Sequence, residues 1–193
     1  MARPREFDSD EALKIALLLF WEKGYEGTSL NDLTEAMGIT RPSIYACYGN
    51  KEGLFRAALD RYESCYLAFV KSALNEPTAR GMVEKLLHGY ADVITMDDRP
   101  HGCLGTNGAV ACSKESEDVR QELVKRRARN EGILRDCLAR AKKRGELSRA
   151  AEPDTLAKYV MTVAQGLSVQ AKAGATRKAL HKVVAVAIGA FAA

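Results

Sequence analysis

The sequence predicts an all-α protein of about nine helices, with an N-terminal three-helix unit over residues 1–52 and a larger helical unit over residues 53–193. Three observations predict it. Alanine and leucine are abundant within the 47% of apolar residues, and β-branched runs are few. Apolar residues recur at three- and four-residue spacing along most of the chain. The segments with that spacing are bracketed by helix start signals in front and by Gly or Pro behind. With 15 Gly and 5 Pro in 193 residues, the composition is not that of a disordered chain.

Asp8 or Ser9 caps the first helix, which runs to about Lys23 with Ala12, Ile15, Ala16, Leu19 and Phe20 on its inner face and Gly24 as its stop. The stretch from Thr28 to Lys51 says most. A helix over about Ser29 to Ala36, capped by Thr28 or Ser29, puts Leu30, Leu33 and Met37 on one stripe. Gly38 allows the left-handed backbone that ends a helix abruptly, and Ile39 plugs the corner. Thr40 caps a second helix, where Pro42 is tolerated because the first-turn N–H groups lack intrahelical partners. Two short helices about a tight corner, the second polar and exposed at its start, make a helix-turn-helix, a shape that lets the second helix enter the major groove of DNA.

Asn50 caps the next helix, striped by Leu54, Phe55, Ala58, Leu59, Tyr62 and Tyr66 and expected to reach roughly Leu74. Asn75 to Thr78 is a break, and another helix covers about Ala79 to Met96. Asp97 to Gly102 is the clearest loop. A short helix over Cys103 to Ser113 and a long one from about Ser116 to Lys143, stopped at Gly145, follow. Pro153 opens a helix to Ala173 with Gly174 as its stop, and Arg177 to Ala192 forms the last. No internal repeat or low-complexity segment interrupts the series.

The net charge of +4 is unevenly placed. Residues 1–50 hold five cations against eight carboxylates, net −3, which argues mildly against a nucleic-acid surface. From Ala36 to Lys51, however, there are two cations and no carboxylate, and Arg3 and Arg5 sit on an N-terminal arm able to reach a groove or phosphates. Residues 120–149 carry eleven Lys or Arg and four Asp or Glu, read first as a solvated helix face and second as another DNA-contacting surface. The five cysteines (Cys47, Cys65, Cys103, Cys112, Cys137) lack the spacing of a zinc site or a disulfide framework, so a reduced cytoplasm is expected. The N-terminus shows no apolar core behind its cations and no apolar run reaches the roughly 18 residues of a membrane span, so neither a signal peptide nor a membrane partner is expected. His88, His101 and His181 are scattered without metal-ligand spacing, and no phosphate loop, dinucleotide fingerprint or Gly-x-Ser-x-Gly occurs. No metal, cofactor or enzymatic activity is expected.

The residues Thr28-Ser-Leu-x-Asp-Leu-x-x-Ala-Met-Gly-Ile-Thr40 and Ser43-Ile-Tyr-x-x-Tyr-Gly-Asn-Lys-Glu-x-Leu-Phe55 resemble the TetR/AcrR family of one-component transcriptional repressors, over about residues 9–56. The segment from Gly102 to Ala109 is similar to one found in a subset of such regulators. The resemblance implies a DNA operator as partner and assigns roles. Thr28 would pin the first motif helix to a phosphate. Thr40, Arg41 and Ser43 would face the groove, with Arg41 suited to a bidentate contact with guanine. Tyr45 would touch backbone or a thymine methyl group, unless it simply packs, and Ser43 has the alternative of being only a helix-start residue. Tyr48 would pack under the helix. Lys51 would reach a phosphate with the helix dipole assisting. Two departures stand out: Pro42 replaces a commonly small residue and removes a backbone donor, and Cys47 replaces a His or Tyr that often touches phosphate.

The last two long helices are unusually apolar. Leu156, Tyr159, Val160, Val163, Ala164 and Leu167 stripe one, and Leu180, Val183, Val184, Ala187, Ile188 and Phe191 the other; with Leu156, Val160, Val163, Leu167, Val184, Ile188 and Phe191 foremost, they are expected to pair two copies into a four-helix interface, with ordinary core as the alternative. A homodimer also suits DNA, because a single recognition helix reads too few base pairs. The middle helices are expected to enclose a pocket for a small-molecule inducer, walled by Tyr66, Phe69, Tyr90, Met96, Leu104 and Met161 with polar contacts from His101, Asn107 and Gln165; core packing is the plainer reading of such residues. Cys103, after a loop, at a helix start and beside His101, suggests a second signal: a thiolate that senses oxidants or electrophiles, against the plainer reading of a small buried cysteine.

Overall fold

The structure, a computed structural model, describes residues 8–109 and 116–191. Arg3, Arg5, Cys112, Ala192 and the end of the helix expected to reach Ser113 lie outside the described residues. Among the described residues ten α-helices follow in order: α1 (Ser9–Lys23), α2 (Leu30–Met37), α3 (Arg41–Tyr48), α4 (Lys51–Tyr66), α5 (Phe69–Leu74), α6 (Ala79–Val93), α7 (Leu104–Ala109), α8 (Glu117–Lys143), α9 (Pro153–Lys172) and α10 (Arg177–Ile188), with a 3₁₀ turn at Gly189–Phe191.

The helix starts follow their caps. Asp8 accepts from the Asp10 and Glu11 N–H groups, Thr40 from Ser43, Asn50 from Gly53 and Thr176 from Ala179. At α2 the cap is Ser29, in a reciprocal capping box with Asp32. Gly38 ends α2 at φ 65°, in the left-handed region.

α1 lies along α4, and α2 and α3 close the N-terminal unit against them. Its centre is aromatic: Phe20 meets Phe55 edge-on at 5.0 Å, and Tyr25 meets Phe55 at 5.1 Å. Leu33, Ile44 and Leu54 are buried around them. The inner face of α1 is turned relative to expectation. Leu17 and Trp21 are fully buried, whereas Ile15 and Leu19 are half-buried. Trp21 is pivotal: its indole N–H donates to the Gly102 carbonyl at 2.8 Å, and its ring meets Tyr62 and Tyr66 edge-on at 4.7 and 5.1 Å.

The single helix expected from Asn50 to Leu74 is two. α4 ends at Tyr66, and α5 starts at Phe69 and packs on α6. The side chain of Phe69 lies where a Cβ on Gly89 would be, 2.5 Å from the Phe69 ring, so Gly89 admits the ring and α5 turns away from the α4 axis. α4 also crosses the boundary expected after residue 52: Leu54 and Phe55 sit in the core beside α1, while Tyr62 and Glu63 face the C-terminal helices.

The stripe expected to form the subunit interface is corrected. Val160, Leu167, Val184, Ile188 and Phe191 are buried inside the single chain, and Leu156 and Val163 are half-buried against the same core. The exposed large apolar residues of the two helices are Tyr159 and Val183, which belong to the expected stripes, and Val169 and Val186, which do not, the last at 80%. Of the eleven cations of residues 120–149, six form ion pairs: Arg120 with Glu117, Arg126 with Glu122, Arg129 with Glu63, Arg135 with Asp136, Lys142 with Glu152 and Arg144 with Glu146. No helix among the described residues is long and apolar enough to cross a membrane.

Candidate nucleic-acid interface

α3 is held by its back and bare on its front. Ile44 is its sole buried residue, with Thr40, Arg41, Pro42 and Tyr45 exposed. Tyr45 is 46% exposed, so the packing alternative does not hold for it. Thr40 and Ser43 share a 3.0 Å hydroxyl contact at the helix start. Arg41 donates through Nη2 to Oδ1 of Asn31 at 2.6 Å, so α2 pre-sets the guanidinium. Asn31 was not singled out from the sequence, and only the fold brings it to Arg41. Exposed Cys47 lies on the same helix.

Tyr48 is half-buried and its hydroxyl donates to the Ser9 carbonyl at 3.4 Å, which ties the end of α3 to the start of α1. Burial raises the Tyr48 phenol above its ordinary range. The turn behind it is tight: a Cβ on Gly53 would stand 1.9 Å from the Tyr48 carbonyl oxygen. Lys51 opens α4 with its ammonium 4.1 Å above the Tyr25 ring. Burial lowers the Lys51 pKa, against the attraction of Glu26 and Asp32.

Thr28 does not lie on this surface. It is fully buried and its hydroxyl donates to the Gly24 carbonyl at 2.7 Å, bracing the α1–α2 turn, so the expected phosphate contact is not open to that hydroxyl. One carboxylate of the motif itself is neutralised locally. Asp32 takes hydrogen bonds from Lys23 and Ser29, which hold it well below the usual carboxylate range. The exposed face of α3 itself carries one charged side chain, Arg41, and no carboxylate.

The second candidate site is a cavity of about 280 Å³ between α4, α5, α6, α7, α8 and α9. Of the expected wall residues, Phe69, Tyr90, Met161 and Gln165 line it, and so does the candidate sensor Cys103. Four do not. Tyr66 stacks on Tyr62 and lies under the Arg99 guanidinium. Leu104 is fully buried core, His101 stays half-buried on the loop, and the Asn107 amide packs against Gly102. Met96 is likewise half-buried away from the wall. Sequence reasoning missed Leu59, Tyr62 and Glu63 of α4 and Arg126 and Asn130 of α8 as wall residues. Arg126 is clamped among Asp60 at 2.7 Å, Glu63 at 3.2 Å and Glu122 at 2.7 Å, joining α8 to α4. The Cys103 N–H donates to Ser168 Oγ at 2.8 Å, and its thiol neighbours Tyr62 and Tyr90. Among the described residues no group of three His, Cys, Asp or Glu side chains could hold a metal ion.

Comparison with known proteins agrees with this architecture. Residues 12–58 match the family described as bacterial regulatory proteins, tetR family, and residues 77–187 match the tetracyclin repressor-like C-terminal domain. The chain is 37% identical to the HTH-type transcriptional repressor ComR of Escherichia coli over 183 residues, covering 94% of this chain and 87% of that one. It is 30% identical to the HTH-type transcriptional regulator YezE of Bacillus subtilis, covering 97% and 98%. A cysteine mutant of the TetR family regulator CifR, solved with 26-bp double-strand operator DNA, superposes with a TM-score of 0.91 at 41% identity, over 98% of this chain and 99% of that one. An exposed second helix on a braced three-helix scaffold, matched at both ends of the chain, places this protein in the TetR family of DNA-binding transcriptional regulators, which are not enzymes.

Proposed function

We propose that the chain is a repressor that binds a palindromic operator as a homodimer and is released by a small-molecule inducer bound in the cavity between α4 and α9. The observation that carries the proposal is the double duty of α4. Its N-terminal half backs α3, through Leu54 and the Gly53 turn, and its C-terminal half supplies Leu59, Tyr62 and Glu63 to the cavity wall. An occupant that shifts α4 shifts α3 with it. In a dimer, that changes the separation of the two α3 helices and lowers operator affinity, a population shift governed by the ligand's preference for one spacing. Two copies pair through the exposed apolar stripes of α9 and α10, carrying Tyr159, Val169, Val183 and Val186. Thr40, Arg41, Ser43 and Tyr45 read the groove, with Lys51 at a phosphate. ComR is a named repressor, and CifR is seen on operator DNA.

Footprinting on DNA flanking the gene, followed by operator titration against a small-molecule library, tests the reading. Two protected half-sites about one or more DNA turns apart, and a compound that lowers the affinity, are expected. An operator affinity that no small molecule alters would refute inducer release.

One observation favours a second reading, an electrophile or oxidant signal through Cys103: the thiol lines the same cavity. Alkylation there would fill the cavity as a bound inducer does. The test is Cys103→Ser, whose operator release by an alkylating agent or peroxide should vanish; unchanged release would remove the idea.

A further inference from the structure

The reading of the cavity as an inducer site leaves the inducer's chemistry open, and the atoms of the wall narrow it. Tyr62 is 1% exposed, lines the cavity, and its hydroxyl has no hydrogen-bond partner. The Cys103 thiol and the Leu104 backbone lie beside it, yet neither stands in hydrogen-bonding geometry. A buried hydroxyl without a partner is a rarity that calls for one. Burial pushes this phenol well above its ordinary range, so it stays protonated and offers a proton. Its position is preset: Trp21 abuts the ring edge-on at 4.7 Å and Tyr66 stacks on it at 5.6 Å.

The charges on the wall are mostly committed elsewhere. Arg126 faces three carboxylates, and Glu63 holds both Arg126 and Arg129. The remaining wall is dominated by apolar side chains such as Leu59, Leu67 and Met161. At interior packing density a 280 Å³ cavity is filled by a molecule of roughly 200 Å³, the size of a one- or two-ring compound.

We infer that the cavity takes an uncharged, mainly apolar molecule carrying a hydrogen-bond-accepting oxygen, such as a ketone, ether or ester, and that the Tyr62 hydroxyl donates to that oxygen. This rests on the proposal that the cavity is the ligand site. It goes further in naming the ligand class and the residue that selects it. The oxygen completes the one hydrogen bond Tyr62 lacks, whereas a carboxylate would be dehydrated among apolar side chains and would meet, besides Arg127, only Arg126, whose Nη1 also lacks a hydrogen-bond partner but whose charge already faces Asp60, Glu63 and Glu122.

The test uses the full chain without DNA and three probes of one shape: cyclohexyl methyl ketone, isopropenylcyclohexane and cyclohexanecarboxylate. Trp21 is the chain's single tryptophan and touches Tyr62, so its fluorescence reports occupancy, with calorimetry as the second measurement. The ketone is expected to bind about 3- to 10-fold more tightly than the hydrocarbon, the worth of one hydrogen bond, and more tightly than the carboxylate. Tyr62→Phe should erase the advantage of the ketone and leave the hydrocarbon unchanged. Equal binding of ketone and hydrocarbon, tightest binding of the carboxylate, or binding of none of the three overturns the inference. The probe comparison on the unaltered chain stands whether or not the variant folds. Operator affinity is measured separately. A Tyr62-dependent ketone preference without operator release would sustain this inference and refute inducer release, and release by other compounds without that preference would do the reverse.

Discussion

Replacing Trp21 by Phe should loosen the joint between the DNA-binding unit and the cavity. The indole N–H is the donor that reaches from α1 to the Gly102 carbonyl, across 81 positions of sequence, and the bond is buried. Phenylalanine keeps a ring against Tyr62 but has no N–H, so the carbonyl loses that partner. A buried acceptor left unpaired costs about 1–3 kcal/mol, and the smaller ring in a fully buried site adds roughly 1 kcal/mol more. The sum of roughly 2–4 kcal/mol corresponds to a fall in melting temperature of about 4–16 °C for a chain of this size. Thermal melts followed by circular dichroism read it directly. A partner variant sharpens the test. Ser168→Ala removes the acceptor that holds the neighbouring Cys103 N–H from α9. Because Trp21 and Ser168 fix the same two residues, 102 and 103, from opposite sides, the double variant should depart from additivity by at least about 0.5 kcal/mol. A melting temperature within 2 °C of the parent for Trp21→Phe, or strict additivity in the cycle, would refute the view that this loop joins the two units.

Three further outcomes follow from the same geometry. Gly53→Ala forces a Cβ against the Tyr48 carbonyl, which must move by about an ångström at an overpacking cost of about 1–3 kcal/mol or more; because α3 moves with it, operator affinity measured by fluorescence anisotropy should fall at least about tenfold. Val186→Glu places a charge in the exposed apolar stripe of α10 and should convert dimers to monomers in sedimentation experiments, while unchanged dimers would move the interface elsewhere. Asp32 has a folded pKa below its unfolded value, so its contribution is present above about pH 4 and lost as the pH falls through the lower folded value; Asp32→Asn should therefore melt below the parent at pH 7 and converge with it in strong acid.

The N-terminal unit was legible because its signals are local. Caps at Asp8, Thr40 and Asn50 and the left-handed Gly38 each act within four residues. What failed was non-local. Nothing in the sequence around Leu67 breaks a helix; α4 stops there because Phe69 finds Gly89, twenty positions on. The expected subunit stripes mixed inward residues such as Val160 and Val184 with outward ones, Tyr159 and Val183, because α9 and α10 are apolar around much of their circumference and periodicity does not say which side looks inward. Tyr62 and Tyr66 lie one helical turn apart with equal claims on the cavity, and Trp21, buried against both, decides the matter. The Arg126 clamp exists only because α8 is laid across α4. Thr28 matched its motif and still points inward, since its hydroxyl satisfies the Gly24 carbonyl at the end of α1.

The most direct test of the central idea, that α3 reads DNA from an exposed and braced position, is binding to operator and to scrambled DNA at one fixed salt concentration, for the parent chain and for Arg41→Ala. The account predicts a footprint of two half-sites. It also predicts that the Arg41→Ala variant loses discrimination between operator and scrambled DNA by about 1–3 kcal/mol, the worth of one bidentate base contact, while still folding and dimerising. A variant that binds and discriminates like the parent, or a parent chain that retards no fragment of its flanking DNA, would contradict it.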